Sequence, residues 1–274
     1  MQLPDGGIQH AVCLLRPTLL IAATGATCSP RPSLRRSLLE LLAISARQPV
    51  ATGVIVEELW GGASPLQPEQ AVQAHVGRLR KTLTRLGWSP TELQVCTVGG
   101  GYMLDVSPSW VDALHFERLV REATALCSTR IEPAIRVLDQ ALAIWQGQPF
   151  GGAVDGECHR LAAQSWEELR TLALRTWAEA QLRGDRPQAV VARLHPEVLA
   201  GSADEGLNMI LITALCRMGR RVDAMEIYRS LRNRLVRDYG IEPSPELQSL
   251  YQRILLDEAD TRLRLELPYT TTAR

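Results

Sequence analysis

The chain has 274 residues, 46% of them apolar but only 5% aromatic, and it carries 30 basic and 30 acidic side chains. That length suits two domains better than one core, and an interior of Leu, Val, Ile and Ala favours helices and excludes a disordered chain. Zero formal net charge excludes a global pull toward nucleic acid or membrane, so any such attraction has to be local.

In chain order, residues 11–28 are apolar and β-branched in patches, which predicts one or two strands. The run "AVCLLRPTLLIAATGATCS" resembles the apolar part of a secretion signal. However, no Lys or Arg precedes Arg16, Asp5 lies ahead of it, and Arg16-Pro17 interrupts it, so export is not expected. "SLRRSLLELLAISA" predicts a helix that starts at Pro32-Ser33 and has Leu34, Leu38, Leu41 and Leu42 on one face. "QPVAT" follows as a short strand, and "GVIVEELWGG" as a second helix stopped by Gly61 and Gly62. "ASPLQ" is a loop, and Pro68 with Glu69 opens a third helix in the favoured way.

That third helix, within "QAVQAHVGRLRKTLTRLGW", holds four basic side chains and no acidic one. At 100° per residue, Val72, Val76, Leu79, Leu83 and Leu86 form a narrow apolar stripe, while Ala74, Gly77, Arg78, Lys81 and Arg85 fall on the other side. Glycine costs a helix about 1 kcal/mol relative to alanine, which a merely solvated face does not repay but a closely approached surface does. A helix entering a DNA major groove needs this combination. Arg presents paired donors to guanine, Gln pairs with adenine, and further cations neutralise phosphates. Arg78 and Gln73 are the candidate base readers, and Arg80, Lys81, His75 and Arg85 the candidate backbone contacts.

After Gly87, Leu93, Val95 and Thr97 alternate with Gln94, Cys96 and Val98, and a glycine triplet separates them from "YMLDV", which predicts a hairpin. The first part of the chain thus reads strands, helix, strand, helix, loop, helix, hairpin. From "SPSW" onward helices are expected near 113–127, 132–146, 159–183, 186–199, 204–218, 221–239 and 245–263, with breaks at "GQPFGG", "RGDRP", "AGSAD", "MGRR" and "YGIEPSP". "PQAVVARLHPEVL" and "VDAMEIYRSLRNRL" share a pattern, with Ala189 and Ala224 separated by 35 residues, close to a tetratricopeptide period. Trp145, Trp166 and Trp177 read as core residues, and "LELPYTTTAR" as a frayed end.

"AVQAHVGRLRKTL" resembles the recognition helix of OmpR-type winged helices. With "RRSLLELLA", "VEELWG", "GGGYMLDV" and "RNRLVRDYGIEPSPELQSLYQRIL" in this order, residues 31–258 resemble the Streptomyces antibiotic regulatory protein family. The resemblance implies a mainly α chain: an N-terminal winged helix-turn-helix (α+β) over residues 1–108, followed by an all-α, tetratricopeptide-like bacterial transcriptional activation domain over 109–274. It implies a transcriptional activator that binds double-stranded DNA at direct repeats upstream of biosynthetic genes and recruits RNA polymerase holoenzyme, with a homodimer on the DNA. By position it places Arg78 at a base edge, Gln73, Ala74 and Gly77 along the groove, and Arg80 and His75 near phosphates. Thr97 and the Gly99–Tyr102 turn, Gly100 included, would form the wing. The chain departs from the family pattern in an arginine-free wing, in Gly77, and in an N-terminal stretch whose strand pattern is weak.

Five scattered histidines and the absence of G-x-S-x-G, H-E-x-x-H and P-loop patterns predict no enzyme, cofactor or metal site. The six cysteines lack a C-x-x-C pair and read as buried apolar residues of a reducing compartment. No stretch reaches the roughly 18 uninterrupted apolar residues of a membrane span, so a cytoplasmic protein is expected. The rival reading is a helical-repeat interaction scaffold whose winged helix no longer reads DNA.

Overall fold

The computed structural model describes residues 10–31, 33–127, 129–153 and 156–256. By contacts the chain divides into one unit of residues 1–128 and 136–170, and a second of residues 129–135 and 171–274.

The first unit opens with three short antiparallel strands, β1 (Val12–Cys13), β2 (Leu19–Ile21) and β3 (Thr27–Cys28), in the order β1-β2-β3. The sequence predicted one or two. Strands of two or three residues carry no readable alternation, and what separates them is the Arg16-Pro17 break and a turn at Gly25 with φ 87°. Helix α1 (Leu34–Ile44) is capped by the Ser33 hydroxyl, which accepts the Arg36 N–H at 3.4 Å, and buries Leu38, Leu39, Leu41 and Leu42. Strand β4 (Val50–Ala51) leads into α2 (Thr52–Trp60), which ends at Gly61, where φ is 51°. A single 3₁₀ turn, Gly61–Ala63, then begins the connection to α3 (Pro68–Arg85).

The hairpin β5 (Leu93–Val98) and β6 (Gly101–Val106) completes a second sheet in the order β4-β6-β5. Gly99 and Gly100 have φ of 47° and 83°, the left-handed pair that a two-residue hairpin loop demands. Helices α1, α2 and α3 pack on one another, and β5 packs on α3. The expected order of strands, helix, strand, helix, loop, helix and hairpin is the observed one.

The later helices are α4 (Asp112–Leu126), α5 (Ile131–Ile144), α6 (Glu157–Arg183), α7 (Pro187–Leu199), α8 (Glu205–Arg217), α9 (Arg221–Arg234) and α10 (Pro245–Leu255). A π-helical turn, Leu235–Tyr239, extends α9 to Gly240, whose φ of 69° ends it. Each expected helix is present; the part of the last one expected beyond residue 256, and the frayed end, lie outside the described residues. In the second unit α7 packs on α8 and α8 on α9, the succession of neighbours that a helical-repeat array builds. Trp166 and Trp177 are buried as expected. Trp145 is only half-buried: it sits edge-on to Phe116 at 5.6 Å, with the Arg170 guanidinium over its ring.

Candidate nucleic-acid interface

Helix α3 has the two-sided character its sequence predicted. Val72, Val76, Leu79 and Leu83 are buried, and Leu86, just past its end, is half-buried. Pro68 at the first turn supplies a preset φ and no unmatched N–H, and Glu69 there and Arg85 in the last turn suit the helix dipole. Gln73, Ala74, Arg78, Arg80, Lys81 and Arg85 are exposed; His75 and Gly77 are half-buried. Ala74, Arg78, Lys81 and Arg85 follow i, i+4, i+7, i+11 spacing and so lie in one line along the helix. Among the described residues, none of Arg78, Lys81 and Arg85 has an ion pair or side-chain hydrogen bond. Unpaired cations keep their field available to an approaching polyanion.

Arg80 differs from its neighbours. Its Nε donates to the Val95 carbonyl at 2.8 Å and its second guanidinium nitrogen donates to Thr97 Oγ1 at 2.9 Å, which straps the first wing strand to α3. Thr97 is therefore already engaged within the chain, although it remains exposed.

His75 differs too. Its ring lies 6.0 Å from that of Trp60, with Nδ1 buried and without a hydrogen-bond partner. Burial, followed by the nearby charges of Arg78 and Arg35, holds its pKa below the ordinary histidine value. The imidazole is thus neutral at pH 7, and what it offers a phosphate is a hydrogen bond rather than a charge.

A Cβ built on Gly77 would meet nothing within 4 Å, so no packing inside the chain asks for a glycine there. Gly101 is the opposite case: a Cβ there would stand 2.2 Å from the Val50 carbonyl oxygen, so the close pairing of β4 with β6 demands glycine. The wing loop is held at its root because the Gly100 carbonyl accepts both the N–H and the hydroxyl of Thr52, at 3.2 and 2.9 Å.

The structure therefore brings the eight α3 candidates onto one helix, six of them exposed, with Thr97 and Gly100 on the hairpin that packs beside it. Sequence reading missed Arg35, Trp60 and Thr52. Each acts on the site across the fold rather than along its own periodicity, so periodicity gave no signal for them. Among the described residues no group of three or more metal-ligating side chains occurs, and no helix is long and apolar enough to cross a membrane.

Comparison with known proteins gives two family matches. Residues 32–104 match the model for "Transcriptional regulatory protein, C terminal", and residues 111–255 match that for "Bacterial transcriptional activator domain". The chain is 35% identical over 225 residues to the transcriptional regulator RedD of Streptomyces coelicolor, covering 81% of this chain and 64% of that protein. It is 31% identical over 236 residues to the regulatory protein DnrI of Streptomyces peucetius, covering 84% and 87% respectively. Among solved structures, Mycobacterium tuberculosis EmbR in complex with a low-affinity phosphopeptide superposes with a TM-score of 0.77 at 28% identity, covering 90% of this chain and 65% of that one. The chain therefore spans somewhat under two thirds of RedD and of the EmbR structure, and most of DnrI.

Proposed function

Because the chain belongs to the Streptomyces antibiotic regulatory protein family of transcriptional regulators, we propose that it is a sequence-specific DNA-binding transcriptional activator. In this reading residues 1–108 bind direct repeats upstream of biosynthetic genes, with a homodimer on the DNA. Residues 109–274 recruit RNA polymerase holoenzyme, and the protein works in the cytoplasm.

The observation that carries the reading is the free side of α3. Arg78 stands exposed and unpaired among the described residues, opposite a buried apolar seam and next to a glycine that the chain's own packing does not need. Arg78 and Gln73 read base edges, and Ala74 and Gly77 let the helix sit deep in the major groove. Lys81 and Arg85 neutralise phosphates, Arg80 holds the wing while facing the backbone, and His75 donates a neutral hydrogen bond. Thr97 and Gly100 meet the neighbouring minor groove.

Footprinting on DNA upstream of the neighbouring genes, followed by a salt titration on the protected duplex, tests this. Affinity should fall by orders of magnitude between about 50 and 200 mM salt, and Arg78→Ala should cost about 1–3 kcal/mol and relax preference at one base pair. No retention of DNA at any salt would leave the helical-repeat scaffold as the surviving reading.

A further inference from the structure

One ionic cluster in the first unit is turned inward. His159, in the first turn of α6, is 3% exposed. Its Nδ1 lies 2.6 Å from Glu58 Oε1 on α2, and its Nε2 lies 3.4 Å from Glu40 Oε2 on α1, an ion-pair contact without hydrogen-bond alignment. Both carboxylates are nearly as buried as the ring. Glu58 also accepts the backbone N–H groups of Cys158 and His159, each at 3.0 Å. Glu40 accepts Arg36 Nε at 2.9 Å and the Thr18 hydroxyl, and the Phe150 ring stands edge-on to the imidazole at 5.1 Å. The backbone comes so close at Gly156 that any Cβ there would collide with the Glu58 carboxylate.

With a neutral imidazole the cluster would hold two carboxylates, 2% and 4% exposed, against one guanidinium, leaving net negative charge on the wall of the pocket they line. With an imidazolium it is balanced, and each ring nitrogen faces its own carboxylate. Helix α3 packs on both α1 and α2, so the seat of α3 depends on how those two helices are held.

We propose that His159 is a positioning residue for DNA binding: as an imidazolium it clamps Glu40 of α1 to Glu58 of α2 and so fixes the seat of α3. The role in DNA binding rests on the reading of α3 given above; the clamp itself does not. Glu40 from α1 and Glu58 from α2 act directly on the ring; Arg36 is paired with Glu40, and Glu157 acts on the neighbouring Cys158. Burial opposes protonation of the ring, but the hydrogen bond to Glu58 and the charges of Glu40 and Glu58 outweigh it and raise the His159 pKa above 6.5. The clamp is therefore complete below that value and is lost as pH rises through the folded-state pKa. Burial and Glu58 push the Cys158 thiol up, away from this window, and His75 titrates on the acid side of it.

The test measures the affinity of the full chain for its footprinted duplex by fluorescence anisotropy at fixed salt, from about pH 6 to about pH 9. His159→Gln is measured beside the native chain, and NMR of the native chain follows the imidazole nitrogens and the backbone amides of α1, α2 and α3. Affinity should hold on the acid side and fall at least about fivefold through the His159 midpoint, a typical coupling between sites. His159→Gln should bind weakly with a flat profile. A flat native profile, or the same step in His159→Gln, overturns the proposal. If the variant does not fold, the native NMR titration decides, because amides of α1 and α2 must shift with the His159 midpoint. Absence of duplex binding at every pH would remove the DNA reading alone; the clamp would still stand or fall on those amide shifts.

Discussion

Gly77→Ala separates what the protein's own fold wants from what its exposed helix is shaped to meet. The substitution adds one methyl, about 1.5 Å beyond the Cα, in the middle of α3. Nothing in the chain lies within 4 Å of that methyl, and Gly77 is not among the residues with positive φ, so neither clash nor backbone strain opposes it. Replacing a helical glycine by alanine then stabilises the fold by about 0.4–1 kcal/mol, chiefly by restricting the unfolded chain. In a domain of this size that is a rise of a few degrees in melting temperature. If α3 docks as proposed, duplex affinity should move the other way, because the methyl would occupy the space between the helix and the base edges. Displacing one well-made base contact is worth about 1–3 kcal/mol, or roughly five- to 150-fold. Calorimetric melting and anisotropy on the same preparation give both numbers. A variant that melts lower refutes the open-space reading of Gly77; one that melts higher and binds as tightly as the native chain refutes the placement of this face on DNA.

Other substitutions test the supports of the site. Arg80→Ala removes both hydrogen bonds that strap β5 to α3. It should cost about 1–2 kcal/mol and speed amide exchange along β5, while DNA affinity falls evenly across sequences; unchanged exchange would show that the strap is not what orders the wing. Gly101→Ala drives a Cβ into the Val50 carbonyl and should lower stability by several kcal/mol, so a native melting temperature would contradict the β4–β6 register. On the acid side, burial and then His115 and Arg16 depress the His10 pKa from 6.5 to about 4, and its Nε2 lies 2.8 Å from His115 Nδ1. The unfolded chain binds that proton first, so stability is full above about pH 6.5 and declines toward pH 4, by at most about 3 kcal/mol from His10. Denaturant midpoints against pH should show a shallower acid decline in His10→Gln, and an unaltered decline would assign it to other groups.

What the sequence made legible was local. The spacing of Val72, Val76, Leu79 and Leu83 is enough to bury one side of α3, and the alternation of Leu93, Val95 and Thr97 before a glycine triplet is enough for a hairpin, because each pattern lives within one element. Long-range facts were not readable. That Arg80 reaches a strand 15 residues on depends on how β5 packs, and that the His75 pKa is lowered depends first on the burial the tertiary fold imposes, then on Arg78 and on Arg35 arriving from α1. Glu58 and His159 are about a hundred residues apart, and in sequence Glu58 looks like any solvated helix carboxylate until the tertiary fold encloses it. The amphipathic stripe of α3 was legible, then, but which of its cations are free was not.

Among the described residues, two of the three free cations of α3 are guanidinium groups. Lys81 is the only lysine among these 274 residues, and it stands exposed and unpaired, among the described residues, in line with Arg78 and Arg85. An amine-selective acylating reagent therefore meets a single ε-amino group in this sequence, on the ridge proposed to meet the duplex. Shielding of that nitrogen from acylation would report docking without a label on the nucleic acid, and a fluorophore placed there would watch the helix enter and leave the groove.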